Sequence, residues 1–289
     1  MRAALALVAV VASTGSLPKA GMLVPGHSLG GVKSGAVYAF RRSGTIWSEI
    51  DRIVPDDPVI SSWFGSAVAL EGLGAVAVVG ARHHRHDPYP APASGAAYVF
   101  FRSDAHWSEE AELLPGDPHD EMEFGSSVAA SFFGNRVIAG APGMTGSDVR
   151  GAAYVFGLSA SEWPQVAKLT SGAGEMRPGF ATGVTMAGDG SFAVAGDPGS
   201  LDATGACFGF REAGGSWSRA GGWSPPRAAL STWAELGRSV AMAGTEIVAG
   251  APGDDTAGAD AGAVYVSGEL LFADGFEGGD CSRWASVSD

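Results

Sequence analysis

Basic residues and cysteines are scarce in this sequence, and their scarcity narrows the classes of protein to which it can belong. Lysine and arginine together number 18 against 31 aspartates and glutamates, so the formal net charge is −13. A chain of this charge is repelled by phosphates, which excludes nucleic acid as a partner. The two cysteines, Cys207 and Cys281, lack the spacing of a metal site. The two cysteines could form one disulfide or remain as two unpaired thiols.

Long apolar runs are also missing. The run at residues 3–12 is about half the roughly 20 residues that a membrane-spanning helix needs, so no membrane span is expected. A single positive charge before it and small residues after it fit a secretory signal. Residues 7–12 also resemble the apolar strand at residues 76–80. Residues 1–16 are therefore predicted to be a signal peptide or a worn first strand.

What the sequence does contain is a repeated pattern. A GAxY-like segment begins at residues 35, 95, 151, 205 and 262, and a tryptophan follows the first four of these glycines twelve positions later, at Trp47, Trp107, Trp163 and Trp217. An FG-like pair and a GAP-like triplet precede this segment in residues 124–156 and in the neighbouring copies. Self-similarity at such a period predicts a repeat architecture, in which the tryptophans have a structural role between repeats.

Each repeat is predicted to form four short strands. The second strand is apolar at every position, as in residues 76–79, which indicates burial of both faces. Very short turns with glycine join it to the first strand, and the polar fourth strand suits an outer edge. Such units repeated about an axis form a β-propeller. The predicted units lie near residues 17–60, 61–120, 121–177, 178–232 and 233–268, followed by a tail at residues 269–289.

The FG and GAP pairs resemble FG-GAP repeats, the blades of the integrin α-chain propeller and of many exported bacterial proteins. The resemblance implies an all-β propeller of about five blades in a secreted or cell-surface protein. A four-blade ring, in which residues 35–54 complete the blade begun at Leu236, is the alternative. Residues 271–284 are similar to short tails of exported bacterial proteins.

Calcium-binding members of this family carry an aspartate-rich loop between the FG and GAP strands. Here that connection is a tight turn in every repeat, with Asp189 the acidic residue within one turn and Glu71 and Glu246 at the margins of two others. Calcium takes six to eight oxygen ligands, which such a turn cannot supply. We therefore expect no cofactor; calcium is possible in this family, but the loops of this sequence do not support it.

Two motifs resemble a catalytic site and a metal site, but each lacks the neighbouring sequence that such a site needs. Residues 26–31, GHSLGG, match the GxSxG motif, which needs a strand before the serine and a helix after it. Pro25 abuts the motif and a strand pattern follows, so a hydrolase using Ser28 is kept only as an alternative. Residues 83–87 have metal-ligand side chains, but no second cluster completes a zinc site. No catalytic or metal-binding residue is predicted.

The connection between the GAP and GAxY segments varies most in length, from 9 to 15 positions between the two glycines. Variation confined to one class of loop places insertions on one face, where partners bind. The hypothesis is a non-enzymatic extracellular module that binds a protein or a glycan there; a structural surface protein without a specific ligand is a further alternative. The candidate binding residues in these connections are His84, His86, Asp87, Asp148, Asp202, Asp254 and Asp255.

Overall fold

The computed structural model describes most of the repeated region. It covers residues 9–10, 21–26, 34–43, 45–85, 93–104, 106–144, 150–172, 179–224, 230–244, 246–259 and 261–267, with the backbone alone at 9–10, 21–26 and 202. These residues are almost entirely β-strands and loops, with one short helix, α1 (Ser200–Ala203). The predicted all-β class is confirmed.

Five antiparallel sheets follow one another along the described chain. The first sheet contains β1 (Ala9–Val10), β2 (Gly21–Gly26), β3 (Ala36–Ser43) and β4 (Ile46–Ile53). The second contains β5 (Phe64–Leu70), β6 (Val76–Ala81), β7 (Ala96–Ser103) and β8 (His106–Leu113). The third contains β9 (Ser127–Ala130), β10 (Arg136–Ala141), β11 (Ala152–Gly157) and β12 (Gln165–Leu169). The fourth contains β13 (Val184–Met186), β14 (Phe192–Asp197), β15 (Ala206–Ala213) and β16 (Ser216–Trp223), and the fifth β17 (Ser239–Ala243), β18 (Glu246–Ala251) and β19 (Ala263–Ser267).

Within each sheet the strands pair in chain order, which corrects one expectation. β3 and β4 belong to the first sheet, so the arrangement in which residues 35–54 complete the fifth sheet is wrong. β1, which lies within residues 1–16, pairs with β2 as the first strand of this sheet, and β2 pairs with β3. The fourth strands lie at the sheet edges, as their polar pattern predicted.

The second strands β6, β10 and β14 are buried on both faces, as their uninterrupted apolar sequence predicted, whereas β18 leaves Val248 exposed. In β6, Val76 and Val78 pack toward the third sheet, whereas Ala77 and Val79 pack toward the first. The core is therefore divided into layers between neighbouring sheets. The repeat tryptophans join these layers: Trp163 is buried in one, and Trp107 and Trp217 pack against two others.

The FG and GAP motifs meet where neighbouring sheets touch. Gly65 and Gly125 of the FG pairs have φ of +86°, a conformation that favours glycine. A Cβ added to Gly80, in the second strand of the second sheet, would lie 1.9 Å from the Gly125 carbonyl oxygen of the next repeat. Gly140 makes the same approach to the Ala181 carbonyl oxygen, at 2.1 Å. Glycine recurs in both motifs because two backbones come this close.

The GAxY glycines form a second link between sheets. Gly35, Gly95 and Gly205 each bridge in parallel to the first residue of the next FG-like pair. The Phe64 amide donates to the Ser34 carbonyl oxygen at 3.0 Å, and the corresponding amide of Phe124 donates to Ser94 at 2.8 Å. The chain between successive sheets therefore lies beside the connection between second and third strands. We call this side the loop end, and the opposite side, with the turns between first and second strands, the turn end.

Candidate binding cleft

A cleft of about 940 Å³ opens at the loop end beside the second sheet. One wall is the chain that leads from β4 to β5, including Asp57, Ile60 and Trp63. The opposite wall comes from the connection between β6 and β7 and from the strands themselves, and it presents His83, His84, Arg85, Tyr98, Glu109 and Glu112. The sheet thus fixes the floor of the cleft, and two loops determine its rim.

A hydrogen-bonded group forms the floor. The Tyr98 hydroxyl lies 3.1 Å from Nδ1 of His84 and donates to Oε1 of Glu112 at 3.2 Å. His84 is buried, and its Nε2 lies 3.2 Å from the same Glu112 oxygen. Burial and the charge of Glu112 raise the pKa of Tyr98, so the hydroxyl keeps its proton. This floor is rigid because a buried histidine, a tyrosine and a carboxylate hold one another.

Carboxylates give the cleft a negative character. Asp57, Glu109 and Glu112 all line it, so carboxylates outnumber the arginine on its wall, Arg85. Burial raises the pKa of Glu109, and the charges of Asp56, Glu112 and Asp57 raise it further, although the Asp56 amide donates to Glu109 at 2.9 Å. The carboxylates are therefore close enough to repel one another, and the cleft favours a positive group.

An aromatic side chain forms the rim. Trp63 is 39% exposed, and its φ of +58° is a conformation that the repeat backbone also has at Glu123 and Glu235, directly before the next FG-like pairs. The Arg82 guanidinium lies 4.7 Å from its ring centroid, and the His83 ring lies at 4.9 Å, edge-on. Burial and then the charge of Arg82 lower the pKa of His83. An exposed aromatic side chain at the rim of a cleft with a few fixed polar groups is typical of a binding surface.

The structure brings one of the predicted binding residues, His84, into the cleft. Asp254 is buried in the connection before β19, where its carboxylate accepts from the Tyr265 hydroxyl and the Thr256 amide. Asp255 is exposed beside it, and its amide donates to Ser231. The backbone of Asp202 lies in α1. His86, Asp87 and Asp148 lie outside the described residues, as do Ser28 and Cys281.

Trp63, Tyr98 and the three carboxylates of the cleft are not among the binding residues predicted from the sequence. In three described repeats the GAxY tyrosine donates a hydrogen bond to a carboxylate: Tyr98 to Glu112, Tyr154 to Asp117, and Tyr265 to Asp254. The tyrosine recurs at a fixed place in the sequence, but the carboxylates come from three different segments, so their spacing from it could not be used to predict them.

The turn end offers no comparable site among the described residues. The buried Glu71 carboxylate accepts from the amides of Leu73 at 2.6 Å and Val76 at 3.1 Å, so it closes its own turn. Across the described ranges, no three histidine, cysteine or acidic side chains are grouped so that they could hold a metal ion. The same ranges contain no helix with the length and hydropathy needed to cross a membrane.

Successive antiparallel sheets joined by close glycine contacts define an all-β repeat protein. The FG-GAP repeat model matches residues 47–100, 107–156 and 231–267, and the chain is an FG-GAP repeat protein, which confirms the resemblance. The matches leave out most of the fourth repeat, where Phe180-Ala181 and Gly196-Asp197 depart from the FG and GAP motifs. No curated protein matches the chain.

Proposed function

We propose that this protein is a non-enzymatic interaction module, secreted or on the cell surface, that binds a protein or a glycan through its loop end. The observation that carries this proposal is the cleft, in which Trp63 and Ile60 stand exposed beside a fixed polar floor. Partly apolar clefts with a few placed polar groups are the usual binding sites of proteins.

Other exposed apolar side chains also lie at this end, as they do at the turn end. Met144, Leu201 and Trp233 lie in connections at the loop end, and Trp233 is 69% exposed. Large exposed apolar groups near one another mark interaction surfaces, and tryptophan is enriched at the centres of such surfaces. The cleft is what distinguishes the loop end, and further exposed apolar side chains lie at the same end.

We also propose that the five sheets close into a five-bladed propeller. On the fifth sheet Val248, Val264 and Val266 are exposed, with Val264 at 60%, although the matching face of every preceding sheet is covered by its neighbour. On the first sheet Val37 and Ala39 pack toward the second sheet, so the alternation of a strand turns Tyr38 and Phe40 the other way. Each end of the series thus has an open apolar face.

Ring closure would bury these two faces against each other. A Val264→Asp substitution would then place a charge in an apolar layer and lower the free energy of unfolding by about 2 kcal/mol or more. A loss below about 0.5 kcal/mol in chemical denaturation would contradict closure, because surface substitutions have effects of that size.

The binding function can be tested with a matched pair of variants. Ile60→Ser removes an exposed aliphatic side chain from the cleft, and Leu73→Ser removes one from the turn end, where the side chain is 50% exposed. The purified protein is first screened against arrays of extracellular proteins and of glycans. We expect Ile60→Ser to weaken binding to the ligand found, and Leu73→Ser to leave it unchanged. The reverse pattern, or no bound ligand on either array, would overturn the proposal.

A further inference from the structure

Aspartate precedes proline at four places in the chain, at residues 57–58, 87–88, 117–118 and 197–198. A peptide bond of this kind breaks more easily than others, because the aspartate carboxylate reaches its own carbonyl carbon by closing a five-membered ring. The proline nitrogen belongs to a tertiary amide and is a good leaving group once it takes a proton. The groups around each bond therefore decide whether it breaks in the folded protein.

The bond between Asp117 and Pro118 has a hydrogen-bond donor on its carbonyl oxygen. It lies in the exposed chain between β8 and β9, and Nδ1 of His119 lies 3.0 Å from the Asp117 carbonyl oxygen. Because a carbonyl oxygen only accepts hydrogen bonds, Nδ1 carries the proton and donates. When the carbonyl carbon is attacked, this oxygen becomes negatively charged, and a donor already in place stabilises that charge.

The side chain of Asp117 is held as a carboxylate, the form that acts as a nucleophile. The Tyr154 hydroxyl donates to one of its oxygens at 2.8 Å, and the Lys168 ammonium donates to the other. Although burial alone would raise it, the pKa of Asp117 is lowered by these hydrogen bonds from Lys168 and Tyr154. Each carboxylate oxygen keeps a second lone pair for attack. The side chain is 51% exposed, so water reaches the product of that attack.

The corresponding bond in the chain from β4 to β5 has neither the imidazole nor the ammonium. Residues 54–58, VPDDP, match residues 114–118, LPGDP, so the two bonds occupy the same place in consecutive repeats. Val59 follows in place of the histidine, and strand register places Glu112 where the third sheet has its lysine. A third Asp–Pro bond begins at Asp197, which is buried at the end of β14. The chain thus contains its own matched control.

We propose that the protein cleaves its own chain between Asp117 and Pro118. A carboxylate oxygen of Asp117 forms a bond to the Asp117 carbonyl carbon, and the bond from that carbon to the Pro118 nitrogen breaks. The nitrogen takes a proton from water, and Asp117 is left as a cyclic anhydride. Water then opens the anhydride to two carboxylates, so the overall change is hydrolysis of one peptide bond. In these steps His119 stabilises the oxyanion, and Tyr154 and Lys168 position the nucleophile.

Cleavage at this place would give a protein of two chains that remain together. The break lies between the second and third sheets, which share an apolar layer containing Val78, Phe124 and Val137. Their backbones also meet at Gly80 and Gly125. The new chain ends would therefore stay at the loop end. This reaction goes beyond the proposed binding function and does not depend on it.

The test compares two bonds within one molecule. The purified full chain is incubated at neutral pH with protease inhibitors, and its pieces are identified by intact mass and amino-terminal sequencing. We expect a new amino terminus at Pro118, formed at least about tenfold faster than one at Pro58. In urea the contacts of His119 and Lys168 are lost, and the two bonds should break at the same slow rate. No terminus at Pro118 in the folded chain, or equal rates for the two bonds there, would overturn the inference.

Hydroxylamine distinguishes this reaction from cleavage by a contaminating protease. It opens an anhydride to a hydroxamic acid, so the amino-terminal piece should end in an Asp117 that carries a hydroxamate. A piece that ends only in the ordinary carboxylate under these conditions would show direct hydrolysis and overturn the anhydride step.

Variants at the exposed His119 test its role without disturbing the core. His119→Ala removes the donor, and we expect cleavage to slow at least about tenfold. His119→Asn is the matched control, because its amide nitrogen stands where Nδ1 stands, and it should keep most of the rate. Asp117→Ala removes the nucleophile and should abolish cleavage, and circular dichroism checks that each variant keeps its strands. Equal rates in His119→Ala and the parent chain would contradict the assignment.

The result is also separate from that of the binding experiment. A chain that binds an array ligand but never shows a Pro118 terminus supports the proposed function and overturns the cleavage alone. A chain that cleaves but binds nothing on either array supports the cleavage and overturns the proposed function.

Discussion

The second and third sheets have the same strand order, but at one corresponding position they carry side chains of opposite charge, Glu112 and Lys168. Both place a GAxY tyrosine opposite a fourth-strand side chain, and both have an irregular register just after it, between Val99 and Phe100 and between Val155 and Phe156. In the third sheet Lys168 neutralises Asp117, whereas in the second sheet the corresponding pair is Glu112 and Asp57. The repeat thus preserves its packing while one position differs in charge: Lys168 bonds to Asp117 in the third sheet, and Glu112 contacts His84 in the second.

The features common to both sheets are apolar or consist of backbone contacts. The glycine approach between neighbouring sheets occurs at Gly80 and at Gly140, and the second strands β6 and β10 are buried on both faces. These contacts do not depend on the polar groups at the loop end. Substitutions in the shared contacts should therefore destabilise both sheets alike, whereas substitutions among the polar groups should affect the stability of the two sheets differently.

The largest effect is expected from Gly80→Ala. The added Cβ would lie 1.9 Å from the Gly125 carbonyl oxygen, and backbone on both sides must move to admit it. We expect the free energy of unfolding to fall by about 3 kcal/mol or more, and Gly140→Ala to cause a similar loss. Chemical denaturation followed by tryptophan fluorescence measures both.

Gly214→Ala is the control for this prediction. No heavy atom lies within 4 Å of the added Cβ, and the positive φ of +60° alone should cost about 1–2 kcal/mol. If Gly80→Ala cost no more than this control, the two sheets would be less closely packed than the structure shows.

The repeats could be predicted because their signals are local. The glycine period, the apolar second strands and the short turns each depend on neighbouring residues, and Gly74 and Gly134 have the positive φ that such turns need. The cleft could not be found this way. Asp57 and Glu112 come from different repeats, and the meaning of Glu112 emerges only from its register opposite Tyr98. Asp254 is a predicted binding residue that is instead buried, and the local pattern does not reveal this because its partner Tyr265 is eleven positions away.

A smaller effect should distinguish Asp117→Asn from Asp57→Asn. The first substitution replaces a carboxylate held by Tyr154 and Lys168, and we expect a loss of about 1 kcal/mol, since the group is half exposed and solvent weakens the pair. The second removes one of three neighbouring carboxylates. We expect its effect to lie within about 0.5 kcal/mol of zero or to be stabilising, because repulsion is relieved.

Denaturation of the two variants at pH 7 and low salt measures this difference. Both substitutions remove one negative charge from the same place in consecutive repeats, so each is the control for the other. Equal losses would mean that Asp57 is held by a cation as firmly as Asp117 is, and the contrast between the two sites would disappear.

The smallest effect concerns pH, and the two sites should respond in opposite directions. The pKa of Glu109 is raised above the ordinary 4.5, chiefly by burial, so its ionised form destabilises the folded state. That penalty is fully present above the folded pKa and is relieved as the pH falls through it toward 4.5. The pKa of Asp117 is lowered below 3.8, so its contribution is present above that value and is lost as the pH falls through the folded pKa.

Acidification from pH 7 should therefore first stabilise the second-sheet cleft slightly and then, below about pH 4, destabilise the third-sheet site. Each change should be less than about 1 kcal/mol, because solvent screens both groups. Carboxyl NMR titration assigns the two steps, and Glu109→Gln should abolish the first while Asp117→Asn abolishes the second. A Glu109 that titrated below 4.5 would show that a positive group already neutralises the cleft, which would remove the physical reason for its preference for a cation.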